Sequence, residues 1–124
     1  SIWYQIVAFD SLLRASNAGR AVLVSSGAAQ GARAYWGAYA VSKAGLEAMA
    51  RAWAAESERT EMRINLIDPG ATRTAMRAAA YPGEDPDSLR TAEDITPAFL
   101  HLLSSDCTSQ GMLFKAAELG AKLG

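Results

Sequence analysis

The sequence predicts an α/β fold built on a parallel sheet, and three observations carry that expectation. A nearly continuous apolar run, Ala21 to Ser26, lacks the alternation of a half-exposed strand and suits one buried on both faces. A second strand-like run, Arg63 to Ile67, follows a long alanine-rich segment, Ala38 to Ser57, that contains no proline. Strand, helix and strand in this order make a βαβ unit, whose crossover is almost always right-handed.

Each element has a local reason. From Ile2, the residues Ile6, Phe9 and Leu13 recur at helical spacing, with Trp3, Val7 and Leu12 widening the apolar stripe. Ser16-Asn17-Ala18-Gly19 is expected to stop this helix, because Gly and then Asn best tolerate the left-handed backbone that ends many helices. Asn17 therefore reads as a cap. Gly27 to Gly37 is a loop of small residues, with Tyr35 and Trp36 near its end. Ala38 to Ser57 combines many alanines with Leu46, Met49 and Trp53, a strong helical composition whose small side chains let another helix approach closely. Asp68-Pro69-Gly70 ends the second strand, since Pro cannot donate to a ladder and Gly permits the turn.

Thr74 to Ala80 suits a short helix, and Pro82 to Ser88 a solvated loop rather than a metal site. Thr91 and Asp94 have the form of a capping box, with Asp in place of the usual Glu, opening a helix through Leu103. Gly111 to Phe114 reads as a third strand, and the tail to Gly124 is ambiguous. No repeat, low-complexity tract or interdomain linker is visible.

The 124 residues suit one domain with one core, able to bury roughly two thirds of the surface that the unfolded chain exposes. Twelve basic and thirteen acidic residues leave a net charge of −1, so no positive field recruits nucleic acid. No apolar run approaches the roughly 20 residues that span a bilayer, and no export signal stands at the amino terminus. The single Cys107 and single His101 read as structural; they are too few for a metal site, and a reducing cytoplasm is the expected compartment.

The chemistry gathers between Ser26 and Lys43. Residues four apart on a helix share a face, so the Tyr39 phenol and the Lys43 ammonium can address one small volume. A phenol with an ordinary pKa of about 10 is a poor acid at neutral pH, but an adjacent cation favours its ionised form and makes it a usable proton donor and acceptor. Ser26, at the carboxyl end of the first strand, is well placed to hold a substrate oxygen, because ligands of open α/β sheets bind beyond those strand ends.

These residues resemble the classical short-chain dehydrogenases/reductases. Tyr39-Ala-Val-Ser-Lys43 matches the YxxxK motif, Ser26 lies thirteen residues upstream as the catalytic serine, and Pro69-Gly70-Ala71-Thr72-Arg73-Thr74 matches the PGxxxT segment after the following strand. The resemblance implies that Tyr39 is the acid/base and that Ser26 orients the substrate carbonyl. It implies that Lys43 binds the nicotinamide ribose and assists ionisation of Tyr39, and that Pro69, Gly70, Thr72 and Thr74 contact the nicotinamide end of NAD or NADP. The implied activity is hydride transfer between nicotinamide and a small-molecule carbonyl or secondary alcohol. Tyr35, Trp36 and the Tyr81 to Leu89 loop would line the substrate pocket.

Gly27-Ala-Ala-Gln-Gly31-Ala-Arg33 also imitates the family's phosphate-binding turn. Arg33 stands where the last glycine belongs, and Asp68 stands where a ribose-binding acid would in that second reading. The glycine-rich turn, the cofactor-selecting residue and the NAG-type segment have no match, and neither does the catalytic Asn. The expected fold is thus a partial Rossmann-like doubly wound parallel sheet, the last three strands with flanking helices. Residues 1–124 would form the catalytic half of one NAD(P)-binding domain, without its amino-terminal glycine-rich half. The family also implies a homo-oligomer through the Ile2–Leu13 and Ala38–Ser57 helices. The alternative is a noncatalytic truncated fragment or self-association module derived from such an enzyme.

Overall fold

A computed structural model describes all residues, 1–124. The elements are α1 (Ile2–Ala15), β1 (Arg20–Val24), α2 (Gly37–Glu56), β2 (Arg63–Asp68), α3 (Ala75–Ala80), α4 (Ala92–Leu103), β3 (Leu113–Lys115) and α5 (Ala116–Leu123), with 3-10 turns at Gly27–Ala29 and Pro86–Ser88. The three strands form one parallel sheet in the order β1-β2-β3. Leu23 pairs in register with Leu66, which in turn pairs with Leu113. Helices cover both faces, as the doubly wound expectation requires.

The central strand explains the two layers. Ile64 and Leu66 point to one face and join Leu23, Leu46, Ala50, Trp53, Ala54 and Met62, with Ile2, Ile6 and Leu13 of α1 packed on the outside. Ile67 points to the other face and joins Ile95, Ala98, Leu102, Cys107, Ala116 and Leu119 from α4, α5 and the connection between them. Two clusters therefore replace the single core expected from chain length. Only 20 of the 124 residues are buried, and α1 contributes none of them. The outer edge of β1 carries no further strand, and an apolar groove of about 890 Å³ runs beside it between α1 and α2.

Local chemistry sets the boundaries. β1 stops at Val24 rather than Ser26, although Ser25 still donates its main-chain N–H to Ile67 at 2.8 Å. α1 is closed by Ser16 in extended backbone, whose hydroxyl accepts from the Ala18 N–H, and Asn17 lies beyond in the turn. Gly19 is not left-handed, contrary to the expectation. A Cβ there would lie 2.4 Å from the Leu13 carbonyl oxygen, so close approach is what requires glycine. The left-handed glycines are Gly70 and Gly111, each in the turn after or before a strand.

Thr91 and Asp94 form the expected reciprocal cap of α4. The Asp94 carboxyl lies below the usual range because it accepts hydrogen bonds from Thr91, the backbone N–H foremost. α4 continues through Pro97. The third strand is Leu113–Lys115 rather than Gly111 to Phe114, yet Gly111 already donates to Ile64 at 2.7 Å, so pairing begins before the regular strand. The ambiguous tail is the helix α5. No helix is long and apolar enough to cross a membrane.

Candidate functional site

Parallel pairing puts the carboxyl ends of β1 and β2 side by side, and both ends release their chains toward the same rim. Beyond Val24, Ser26 is extended, and its Oγ accepts the Ala28 N–H at 3.2 Å to open the turn Gly27–Ala29. That bond occupies an oxygen lone pair and leaves the hydroxyl proton free to donate. A Cβ at Gly27 would lie 3.6 Å from Asp68 Oδ2, which places this turn directly against the end of β2.

α2 supplies the other groups. Tyr39 lies in its first turn and Lys43 one turn later. The Lys43 Nζ donates to the Val24 carbonyl at 3.0 Å and stands 5.8 Å from the centre of the Tyr39 ring. The structure thus brings Tyr39, Lys43 and the strand end leading into Ser26 into one region. An ammonium has three donors, so two remain for a ligand.

The segment after β2 folds on its own polar groups. Asp68 Oδ1 accepts the Gly70 N–H at 2.9 Å, and Gly70 has φ +72° with open space where a Cβ would stand. Thr72 Oγ1 donates to the Gly70 carbonyl at 3.2 Å, and Thr72 pairs in a parallel bridge with Arg90. Thr74 accepts the Arg77 N–H at 3.1 Å and so caps α3. Pro69, Gly70, Thr72 and Thr74 accordingly occupy one short rim segment beyond β2.

An aromatic wall adjoins Tyr39. Trp36 meets Tyr39 edge-on at 5.5 Å between ring centres and stacks on Tyr81 at 6.0 Å with 19° between planes. Arg77 lies over the Tyr81 ring at 3.9 Å from its centre and is held by Glu84 through bonds of 3.0 and 2.8 Å. Arg33 reaches the Tyr81 hydroxyl and sits over Trp36. Tyr35 does not join the wall: its backbone is left-handed, at φ 68°, and its side chain is fully exposed.

Glu84 belongs to the Tyr81 to Leu89 loop expected to line the pocket, whereas Arg33 and Arg77 join the wall without having been expected there. For Arg77 and Tyr81 a signal existed, since their four-residue spacing lets a guanidinium lie over a ring. Cys107 is buried among the α4 and α5 contacts and His101 lies in the last turn of α4; neither belongs to this set.

Comparison with known proteins agrees with this architecture. A family model described as short chain dehydrogenase matches residues 3–85. The uncharacterized oxidoreductase YciK of Escherichia coli (strain K12) is 47% identical over 106 residues, which is 85% of this chain and 42% of that protein. The crystal structure of a short chain dehydrogenase from Salmonella enterica serovar Typhi superposes with a TM-score of 0.89 at 43% identity, over 93% of this chain and 48% of that one. A crystal structure from Shigella flexneri 2a, complexed with NADP, superposes with a TM-score of 0.88 at 43% identity, over 94% of this chain and 48% of that one. The chain spans less than half the length of each of these relatives.

Proposed function

This chain belongs to the short chain dehydrogenase family, and from that premise we propose that it is the catalytic half of an NAD(P)-dependent oxidoreductase acting on a carbonyl or secondary alcohol. The observation that carries the proposal is the bond from Lys43 to the end of β1 with Tyr39 on the same face of α2. The NADP complex of the Shigella relative supports the cofactor class, and the choice between NAD and NADP stays open.

The donor set suits the nicotinamide end of such a cofactor. Lys43 retains two donors for ribose hydroxyls, and the open space at Gly70 lets a ligand come close to the backbone there. Pro69, Thr72 and Thr74 lie beside it, with carbonyl and hydroxyl groups that match a carboxamide. The cofactor, when bound, supplies or accepts the hydride.

This chain's own residues manage the oxygen. Ser26, with a lone pair held by the Ala28 N–H, turns its proton to the substrate oxygen and orients the carbonyl. In the reductive direction Tyr39 delivers its phenolic proton to that oxygen as the carbon gains hydride; in the oxidative direction it takes the proton back. Trp36 and Tyr81 form an apolar wall beside the phenol and limit access of water. Tyr39→Phe tests the reading in the protein as it occurs in the cell: turnover should fall by roughly 100-fold or more with NAD(P)H affinity kept. Unchanged turnover would overturn the assignment.

The same helices support self-association. Trp3, Tyr4, Val7 and Leu12 of α1 and Val41 of α2 expose large apolar surface, which favours a homo-oligomer through these elements. Sedimentation decides it: a strictly monomeric species at micromolar concentration removes this part of the proposal.

A further inference from the structure

Glu47 lies one turn beyond Lys43 on α2 and is only 4% exposed. Its Oε1 accepts from the Ser25 hydroxyl at 2.5 Å and from the Gln30 amide at 2.7 Å, and its Oε2 pairs with Arg51 at 3.2 Å. A carboxylate this deeply buried is costly unless its oxygens are satisfied, and here both are. Ser25 and Gln30 bracket the segment in which Ser26 stands. Ser25 is also pinned through its main-chain N–H to Ile67. The segment between them is held otherwise by Ala28 to Ser26 Oγ, Ala29 to the Ser26 carbonyl and Gln30 to the Gly27 carbonyl, at 3.0 to 3.2 Å.

We propose that Glu47 is a positioning residue, whose buried carboxylate clamps both ends of the Ser25–Gln30 segment onto α2 and thereby fixes the Ser26 hydroxyl relative to Tyr39 and Lys43. Because successive residues of extended backbone face opposite ways, Ser25 turns inward to Glu47 and Ser26 turns outward to the rim. Tyr39, Lys43 and Glu47 follow at four-residue intervals, so one helix carries the acid, the cation and the clamp. Arg51 continues the row and pairs with the carboxylate from the exposed side.

The inference rests on the oxidoreductase reading, and the test separates the two. Glu47→Leu keeps bulk but leaves Ser25 and Gln30 without their acceptor. Amide hydrogen exchange at Ala28, Ala29 and Gln30 should then accelerate roughly tenfold, as loss of a hydrogen bond does, while the amides of Leu46 to Ala50 stay protected. In the protein as it occurs in the cell, kcat should fall on the order of 10- to 100-fold with cofactor affinity unchanged. Glu47→Gln, which restores an acceptor oxygen, should recover most of that loss. Ser25→Ala, a milder change, should open the same three amides and add nothing on top of Glu47→Leu. Unchanged exchange at these amides, or a kcat loss that merely follows the folded fraction, overturns the proposal. If the unaltered protein turns over no carbonyl or alcohol, the functional reading fails and the exchange arm alone decides whether Glu47 is the clamp.

Discussion

The Lys43 ammonium donates to the main-chain carbonyl of Val24 at 3.0 Å, joining the second turn of α2 to the last residue of β1. The acceptor belongs to the strand that leads into Ser26, so this bond ties the helix bearing Tyr39 to the segment bearing the hydroxyl. Removing the ammonium should therefore act on both position and ligand. Lys43→Met should weaken NAD(P)H binding about 10- to 100-fold, the range for hydrogen bonds to a charged donor. Lys43→Arg should not restore it, because a planar fork cannot replace a compact tetrahedral donor. Fluorescence titration of the reduced cofactor reads both.

Trp36 and Tyr81 should behave as a coupled pair. Their stack should contribute about 0.5–1.5 kcal/mol beyond simple burial, visible as a coupling energy in a double-mutant cycle of Trp36→Ala and Tyr81→Ala by denaturant unfolding. Either change should also raise KM more than it lowers kcat, since the wall adjoins the reacting groups without supplying the proton.

Asp10 gives a pH signature near the carboxyl-terminal end of α2, through its bond from Trp53. The Arg14 hydrogen bond, and then that of the Trp53 indole at 2.6 Å, hold its carboxyl below the usual range. The folded state thus favours the ionised form. The stability gained is complete above the ordinary carboxylate value near 3.9 and is lost as pH falls through the lower folded value. Urea midpoints should show Asp10→Asn less stable than the unaltered chain at neutral pH, with the two converging in strong acid. A constant gap down to the lowest pH would show that the ion plays no part.

Gly19 should resist any side chain. Gly19→Ala places a Cβ 2.4 Å from the Leu13 carbonyl oxygen, and a backbone atom cannot swing aside. The expected cost is about 1–3 kcal/mol in chemical denaturation. A neutral result would mean that α1 moves freely away from the start of β1.

Local pattern made much of this readable. The apolar runs of β1 and β2, the proline-free composition of α2 and the Thr91–Asp94 box each express a short-range rule, and the structure holds them within one or two residues for most boundaries. Tyr39 and Lys43 were legible because four residues on a helix define one face. Intrinsic backbone freedom is not what requires glycine at position 19; the constraint comes from Leu13 and Met62 packed against it. Tyr35 and Trp36 looked equivalent as loop aromatics, yet only Trp36 meets Tyr39 and Tyr81.

The sequence by itself determined the strands and the helices other than α5, the parallel βαβ order, and the helical face on which a phenol and an ammonium coincide, because these depend on residues a few positions apart. The tertiary structure alone decided that Lys43 reaches Val24, that Trp36 stacks on Tyr81, that Asp10 receives the Trp53 indole across 43 residues, and that Glu47 closes on Ser25 and Gln30. Such contacts depend on how the packed sheet and helices bring distant side chains together, and no short-range period of the chain encodes them.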